Sequence, residues 1–584
     1  MRGQTLIVGG VLFLVGLLVV FVFVGRTLDP TEDAGADGTA LTETLPEDST
    51  PTEDTPDETA SSESTSSESA SSRKPPMDGS GTPEPAVASA GTDPHSGSAA
   101  EGSQAPGGLQ FPTWPKPQAA LLITGEQHGY FEPCGCTSGQ LGGMSRRADL
   151  AAKIRALGWD LRGVDLGGLS RRIGPQALLK FETTLSALHE IGYVATGLGV
   201  DDLRLGPENL LARHIIEDDN SLRFVSANVV FYDAPELGTP LPWHIATVGD
   251  VKIGITSVLS DSLRRKIIPD RTDDPAAPPT DLSWLPVDEA VRKVSAAFDD
   301  NQVQFRVMLS HGSLEESRAL AKQFPGFDVI VTAEGFGDGE HVPEIIGTTR
   351  LLQVGHKGKF AGVVGIYPND KDNPLRFDLV SLTGEQFDHA ESIVELMRRY
   401  QQRLKEERIV EVDGTVPYPS GAGFVGADKC GECHTKAFDV WKGTAHAHAL
   451  ESLDPKYERE GSERLQGIAR TFDPECLACH VNGWSPEEYL RYQGGFVNSE
   501  FAADEAEKVL EQLMAGNQCE NCHGPGSRHI EQVELDNLDA ARKEVRVTLE
   551  QAKNKTCVMC HDADNSPDYH FEEYWEQIRH PGLD

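Results

Sequence analysis

Positive charge is scarce in this 584-residue chain: 52 Lys and Arg stand against 91 Asp and Glu, a formal net charge of −39. Gripping a phosphate backbone takes clustered Lys and Arg, so a nucleic-acid partner is excluded. Apolar residues are few, 38 %, which is low for one packed globule. Beyond Gly25 no apolar run approaches the ~20 residues needed to cross a bilayer, which excludes a polytopic membrane protein. Methionine is rare as well, with seven residues, and only Met514 and Met559 lie beyond residue 420. What the chain has instead is Gly and Pro, 94 residues together, a mark of loops and linkers. At ~150 residues per domain the length allows about three or four units.

The one long apolar run is Leu6–Gly25, 20 residues without a charge. Arg2 precedes it and Arg26 follows, and the bias favours the N-terminus inside. The competing reading is a cleaved signal peptide, whose apolar core is usually about 7–15 residues. The nearest small-x-small site, Ala34-Gly35-Ala36, lies well past the run and after Glu32 and Asp33. Residues 27–118 carry 17 Asp and Glu against Arg73, Lys74 and Lys116, and almost no aromatic or branched apolar residues. Such a stretch cannot bury enough surface to offset its ordering entropy, so 29–117 is expected to be a disordered acidic tether.

Eight of the ten cysteines sit in four copies of one pattern: Cys430-Gly-Glu-Cys433-His434, Cys476-Leu-Ala-Cys479-His480, Cys519-Glu-Asn-Cys522-His523 and Cys557-Val-Met-Cys560-His561. C-x-x-C-H is the attachment signature of c-type haem. The two thiols hold the porphyrin covalently and the adjacent imidazole ligates the iron. A zinc reading uses C-x-x-C pairs as thiolates but leaves four adjacent histidines unexplained. Four covalent haems are therefore expected. Covalent haem attachment takes place outside the bacterial cytoplasmic membrane, which agrees with the orientation of the anchor. For the opposite face of each iron the region 420–584 offers five further histidines, His446, His448, His529, His570 and His580. With methionine nearly absent, mostly bis-histidine irons are expected. About 160 residues around four haems cannot build a large apolar core of their own, so short helices and ligand loops around closely stacked porphyrins follow.

The flanks narrow the reading. Val425–His434, Trp441 with His446, Glu475–Gly483, Cys519–His529, and Tyr574 with Ile578-Arg579-His580-Pro581 resemble the tetrahaem cytochromes of the c-554 type over about 160 residues. Those proteins carry electrons away from hydroxylamine oxidation. The resemblance implies three bis-histidine irons and one five-coordinate iron. It makes His446, His529 and His580 the distal ligands, leaves His448 and His570 as surface or propionate-contacting residues, and places the open iron at His480.

Residues 118–385 alternate short apolar strands with helical stretches, an α/β pattern. Strands are expected at 120–124, 163–166, 193–196, 223–230, 252–258, 304–310, 328–332 and 351–367, the last broken by Gly355 and Gly358. Helices are expected at 145–157, 176–190, 207–216, 287–298 and 314–324, and a charged amphipathic helix at 391–411 as a linker. Polar residues at the strand ends resemble the calcineurin-like metallophosphatases of the 5'-nucleotidase type, which use two metals to hydrolyse phosphate esters. Glu126-Gln-His128-Gly129 fits the first ligand position and His311 a later one. At the second, Asp165-Leu-Gly-Gly168 puts Gly168 in place of the bridging Asp. At the third, Gly199-Val200-Asp201 replaces Asn-His, and the last reads Ala333-Glu334-Gly335-Phe336. A working dinuclear phosphatase is therefore not expected. Cys134 and Cys136 follow His128 closely, before Gly142-Gly143 and Arg146-Arg147. They fit a short disulfide, a zinc or other transition-metal site with His128, Glu126 and His311, or a free buried pair.

The expected protein is multidomain: an N-terminal transmembrane helix or signal sequence (1–28), the tether (29–117), a degenerate metallophosphatase-like α/β sandwich (118–385), a helical linker (386–419) and a mainly α or irregular tetrahaem cytochrome domain (420–584). It is expected to be a single-pass bacterial membrane protein with its domains facing the periplasm or exterior, passing electrons to a redox protein or quinone-linked partner. The alternatives are a reductase of a small nitrogen or oxygen species at a five-coordinate haem, and a hydrolase at a remodelled metal site in the middle domain.

Overall fold

Strand β1, Ala119–Thr124, shows how the middle region is built. Its run AALLIT is buried on both faces, as an unbroken apolar strand must be. Ala119, Leu121 and Ile123 join one apolar cluster, and Ala120 and Leu122 join another, the two-residue period of a strand. The computed structural model describes residues 109–133, 140–213, 221–267, 281–333, 338–412, 414–457, 464–562, 565–566 and 568–581, all within one compact unit. The apolar run 6–25, the tether up to residue 108, and Cys134 and Cys136 lie outside these residues. Among the described residues no helix is long and apolar enough to cross a membrane.

The strands continue as β2 (Leu161–Asp165), β3 (Tyr193–Thr196), β4 (Arg223–Phe224), β5 (Val229–Phe231), β6 (His244–Val248), β7 (Val251–Leu259), β8 (Leu282–Trp284), β9 (Phe305–His311), β10 (Val329–Thr332), β11 (Glu344–Ile346), β12 (Thr349–Gln353), β13 (Phe360–Ile366) and β14 (Leu375–Ser381). Two six-stranded sheets result, ordered β14-β13-β1-β2-β3-β4 and β11-β12-β10-β9-β7-β6, while β5 and β8 form a small ribbon. Leu121, Ile123 and Val164 of the first sheet meet Ile253, Val307, Leu309 and Val331 of the second. Helices Met144–Ala156, Pro175–Ile191 and Glu391–Glu406 cover the first sheet, and Val287–Asp300 and Leu314–Gln323 cover the second. The order is helix, sheet, sheet, helix, the α/β sandwich expected from the alternation.

Three details differ from the sequence expectation. The 223–230 run splits into β4 and β5, because Val225 leaves β4 to bridge Leu241. The fold begins before residue 118: Phe111 is buried, and Trp114 stacks on Trp159 with ring centres 6.2 Å apart. The 391–406 helix packs its Ile393, Met397, Tyr400 and Leu404 into the same cluster as the helices on the first sheet.

The haem-motif region is made of short pieces. Helices span Ala427–Gly431, Thr435–Lys442, Pro474–His480, Cys519–His523, Ser527–Glu534, Leu538–Val545 and Phe571–Ile578, and Cys557–Met559 is one 3-10 turn. A small cluster around Leu477, Val481, Trp484, Phe496 and Met514 is its apolar centre. Leu465 and Ile468 of this region join the core of the middle domain, so the two halves share buried surface.

Candidate functional site: four C-x-x-C-H motifs and the strand-end cluster

The geometry sorts the histidines of the C-terminal region. His434 faces His529, His523 faces His580 and His561 faces His446, each pair with ring centres 6.0 Å apart. A metal–imidazole bond is about 2 Å, so two imidazoles on opposite sides of one iron, with roughly 1 Å from each nitrogen to its ring centre, stand roughly 6 Å apart. The spacing fits one iron between the members of each pair. In each pair one histidine belongs to a C-x-x-C-H motif and the other is a distal candidate read from the sequence.

Hydrogen bonds set the ring orientation. His523 Nδ1 lies 2.8 Å from the Val545 carbonyl, His529 Nδ1 2.8 Å from that of Ala541, and His580 Nδ1 3.0 Å from that of Pro581. His480 Nδ1 lies 2.8 Å from the Ala449 carbonyl and 3.0 Å from Ser452 Oγ. A carbonyl only accepts, so the proton sits on Nδ1 and Nε2 keeps its lone pair for a metal. Burial, with His561 and His480 adding, pushes His446 down to about 4, and burial lowers His523 and His561 too. A neutral imidazole is the form that can ligate iron. His448 is exposed, with Nδ1 2.9 Å from Glu451 Oε1, and His570 is exposed at the start of the last helix. Both lie on the surface.

The thiols fix which motifs are neighbours. Cys430 lies against Cys519, Cys479 against Cys560, and Cys522 near Cys557, each close enough for the two sulfurs to interact. The attachment points therefore run first, third, fourth, second. A cavity of about 1510 Å³ threads among them, lined by Cys476, Cys479, Cys522, Cys557 and Cys560. Thiols and imidazoles around such a space form the donor set that covalent haem requires.

The second cluster sits at the carboxyl ends of parallel strands, where α/β folds place their sites. Glu126 and His128 follow β1, Gly168 follows β2, Gly199 follows β3 and His311 ends β9. Glu126 Oε2 lies 3.1 Å from His128 Nε2, and Oε1 lies 3.5 Å from His311 Nδ1. Burial works to raise the Glu126 carboxyl, but His128, His311 and His356 outweigh it and leave it below the usual range. Glu126 and His128 both have left-handed backbone, φ 49° and 51°, strain of the kind that gathers at sites. The Glu126 carboxylate occupies the space a side chain at Gly168 would need: a Cβ there would come within 2.7 Å of its Oε1.

The remaining acids are engaged elsewhere. Asp165 lies against Arg147 and accepts from Thr124 Oγ1 and the Gly167 amide. Asp202 accepts from the amides of Gly168, Ser170 and Gly199, each at 2.8 Å. His356, which the sequence reading missed, stands edge-on to His128 with ring centres 5.7 Å apart. Its signal was the Gly355-His356-Lys357-Gly358 loop after a buried strand. Among the described residues no three His, Cys, Asp or Glu side chains are arranged to hold a metal ion. The zinc reading thus gains no support from Glu126, His128 and His311, and its cysteine members lie outside the described residues.

Residues 429–524 match the family model described as cytochrome c554 and c-prime. Cytochrome c-554 of Nitrosomonas europaea is 33 % identical over 108 residues, 18 % of this chain. The chain spans 40 % of the length of that relative. The solved reduced state of cytochrome c554 from the same organism is 30 % identical, covering 24 % of this chain and 65 % of that one, with a TM-score of 0.18. The middle region is similar to the 5'-nucleotidase precursor of Thermus thermophilus, 21 % identical over 49 % of this chain and 59 % of that one, with a TM-score of 0.41.

Proposed function

We propose that this chain is a membrane-tethered, extracytoplasmic c-type cytochrome with four covalent haems, carrying electrons along closely packed haems between redox partners. Haem iron supplies the one-electron chemistry. The protein contributes the thioether attachment, neutral imidazoles aimed by their Nδ1–H bonds, and the order of the motifs. The observation that carries the reading is the set of three histidine pairs at 6.0 Å, each joining a C-x-x-C-H motif to a separate distal histidine. The adjacency of thiols supports an electron path from the His434 end to the His480 end. Intact-mass measurement of the exported protein, with a haem assay, should give four haems per chain. Fewer than four would overturn the reading.

A second reading, a small-molecule reductase at the His480 iron, draws on one observation. The three distal histidines of the family pattern face His434, His523 and His561, while His448 and His570 are exposed. The middle domain is proposed to have lost phosphatase activity, because one carboxylate now occupies the space of two.

A further inference from the structure

The haem motif at His480 differs from the other three in what stands around it. Its helix, Pro474–His480, is capped by Asp473, whose carboxylate accepts the Glu475 amide at 3.0 Å. The same buried carboxylate accepts Nε2 of Gln176 and Nε2 of Gln401, each at 2.7 Å. Gln176 belongs to the middle-domain helix Pro175–Ile191 and Gln401 to Glu391–Glu406. Lys180, one turn on from Gln176, pairs with Glu475 at 2.5 Å. Arg470, almost completely buried, is gripped by both oxygens of Glu132 at 2.7 and 2.8 Å. The Arg172 guanidinium lies 3.7 Å from the ring centre of Tyr489 and donates to the Glu487 carbonyl. Apart from the cap itself, these contacts join the middle domain to residues 470–489.

The charges reach the motif itself. Cys476 is half-buried, and Asp473, Arg470, Glu475 and Glu132 all lie close enough for their charges to act on its sulfur. The cavity at Cys476, Cys479 and His480 is also lined by His128, Tyr130, Arg171 and Arg172 of the middle domain.

Taking the haem assignment above as given, we propose that the middle domain is the outer wall of the second haem site, with Glu132 and Lys180 as positioning residues that set its redox potential. Charge works on a one-electron couple directly, because the ferric state carries one more positive charge than the ferrous state. A buried carboxylate favours the ferric form and a buried ammonium the ferrous form, and little water is present to screen them. The sandwich that resembles a hydrolase thus acts on electron flow at one end of the haem path.

The test is a potentiometric titration of the full haem-loaded chain, following each haem by its absorbance and electron paramagnetic resonance. His480→Met changes the iron ligand and so identifies which wave belongs to the second haem. Glu132→Gln leaves Arg470 unbalanced and should move that wave upward. Lys180→Gln leaves Glu475 unbalanced and should move it downward, while Lys180→Arg restores it. Arg318→Gln, the same charge loss on a helix covering the opposite sheet, should move nothing. Loosening of the domain contact alone would move both variants in one direction, by admitting water. A common direction, or no shift, overturns the proposal. Should Glu132→Gln fail to accumulate, Lys180→Gln decides, with an upward or absent shift as the refuting result. Fewer than four haems, or no wave moved by His480→Met, would instead refute the haem reading.

Discussion

Gly168 and Glu126 compete for one space at the end of the first two strands. Gly168 has φ +68°, and a side chain there would meet the Glu126 carboxylate at 2.7 Å. Gly168→Asp, the substitution that rebuilds the bridging ligand of a two-metal site, should therefore destabilise the fold by roughly 1–3 kcal/mol through backbone strain and like-charge crowding. It should not create hydrolysis of nucleoside monophosphates in the presence of Mn²⁺ or Zn²⁺. Thermal unfolding and phosphate release measure both effects. Turnover in the unaltered chain that His128→Ala abolishes would sink this account.

The distal histidines make the other residue-scale prediction. Strong bis-imidazole iron is low-spin, and iron with a weak or absent sixth ligand is high-spin. His446, His529 and His580 face His561, His434 and His523 across a gap that fits one iron. The ferric protein should then show one high-spin and three low-spin signals, and the reduced protein should bind one CO. Four low-spin signals and no CO binding would remove the reductase reading and leave a pure conduit.

At the scale of the element, the Pro474–His480 helix depends on a cap with three partners. Its first turn has Pro474 at the start and Asp473 as the side-chain cap, a strong N-terminal signal. Removing the cap costs about 1 kcal/mol. Asp473→Ala also strands the buried amide of Gln401, at a cost of about 1–3 kcal/mol, and takes one of two partners from Gln176, which keeps Tyr400 Oη. A loss of roughly 2–5 kcal/mol is expected in denaturant unfolding of the haem-loaded chain. Asp473→Asn, which still accepts one bond, should recover part of it. A loss below the cost of the cap alone would show that the two glutamines contribute nothing. Strand β14 shows why some elements escape the sequence. Its run LRFDLVS is half exposed, and Asp378 turns inward to accept the Gln110 and Phe111 amides, so it carries no apolar run to read.

At the scale of the molecule, the haem region and the sandwich form one body, and their shared surface includes a fully formed ion pair and a capped helix. Removing residues 6–25 should leave the chain unloaded with haem, because thiol addition to haem takes place outside the cytoplasmic membrane. Haem-stained gels of fractionated cells measure this. A haem-loaded protein from the deletion, or a soluble mature protein beginning near Asp37, would contradict the tethered reading.

The sequence by itself determined the chemistry of attachment, since C-x-x-C-H is local and complete within five residues. It also determined the α/β class, because buried strands such as β1 and β3 read as apolar runs. Through resemblance to known families it singled out His446, His529 and His580 as distal candidates and Gly168 as a departure from a metal-ligand pattern. Only the tertiary structure decided which distal histidine meets which motif. Each pair joins residues far apart in the chain, and nothing local records that closure. Only packing placed Glu126 over Gly168, turned Asp202 and Asp165 to backbone amides, and brought His356 to His128. Packing also set Glu132 and Lys180 against Arg470 and Glu475. These side chains belong to separate apolar patterns, and their charges acquire a partner only once the apolar faces have met.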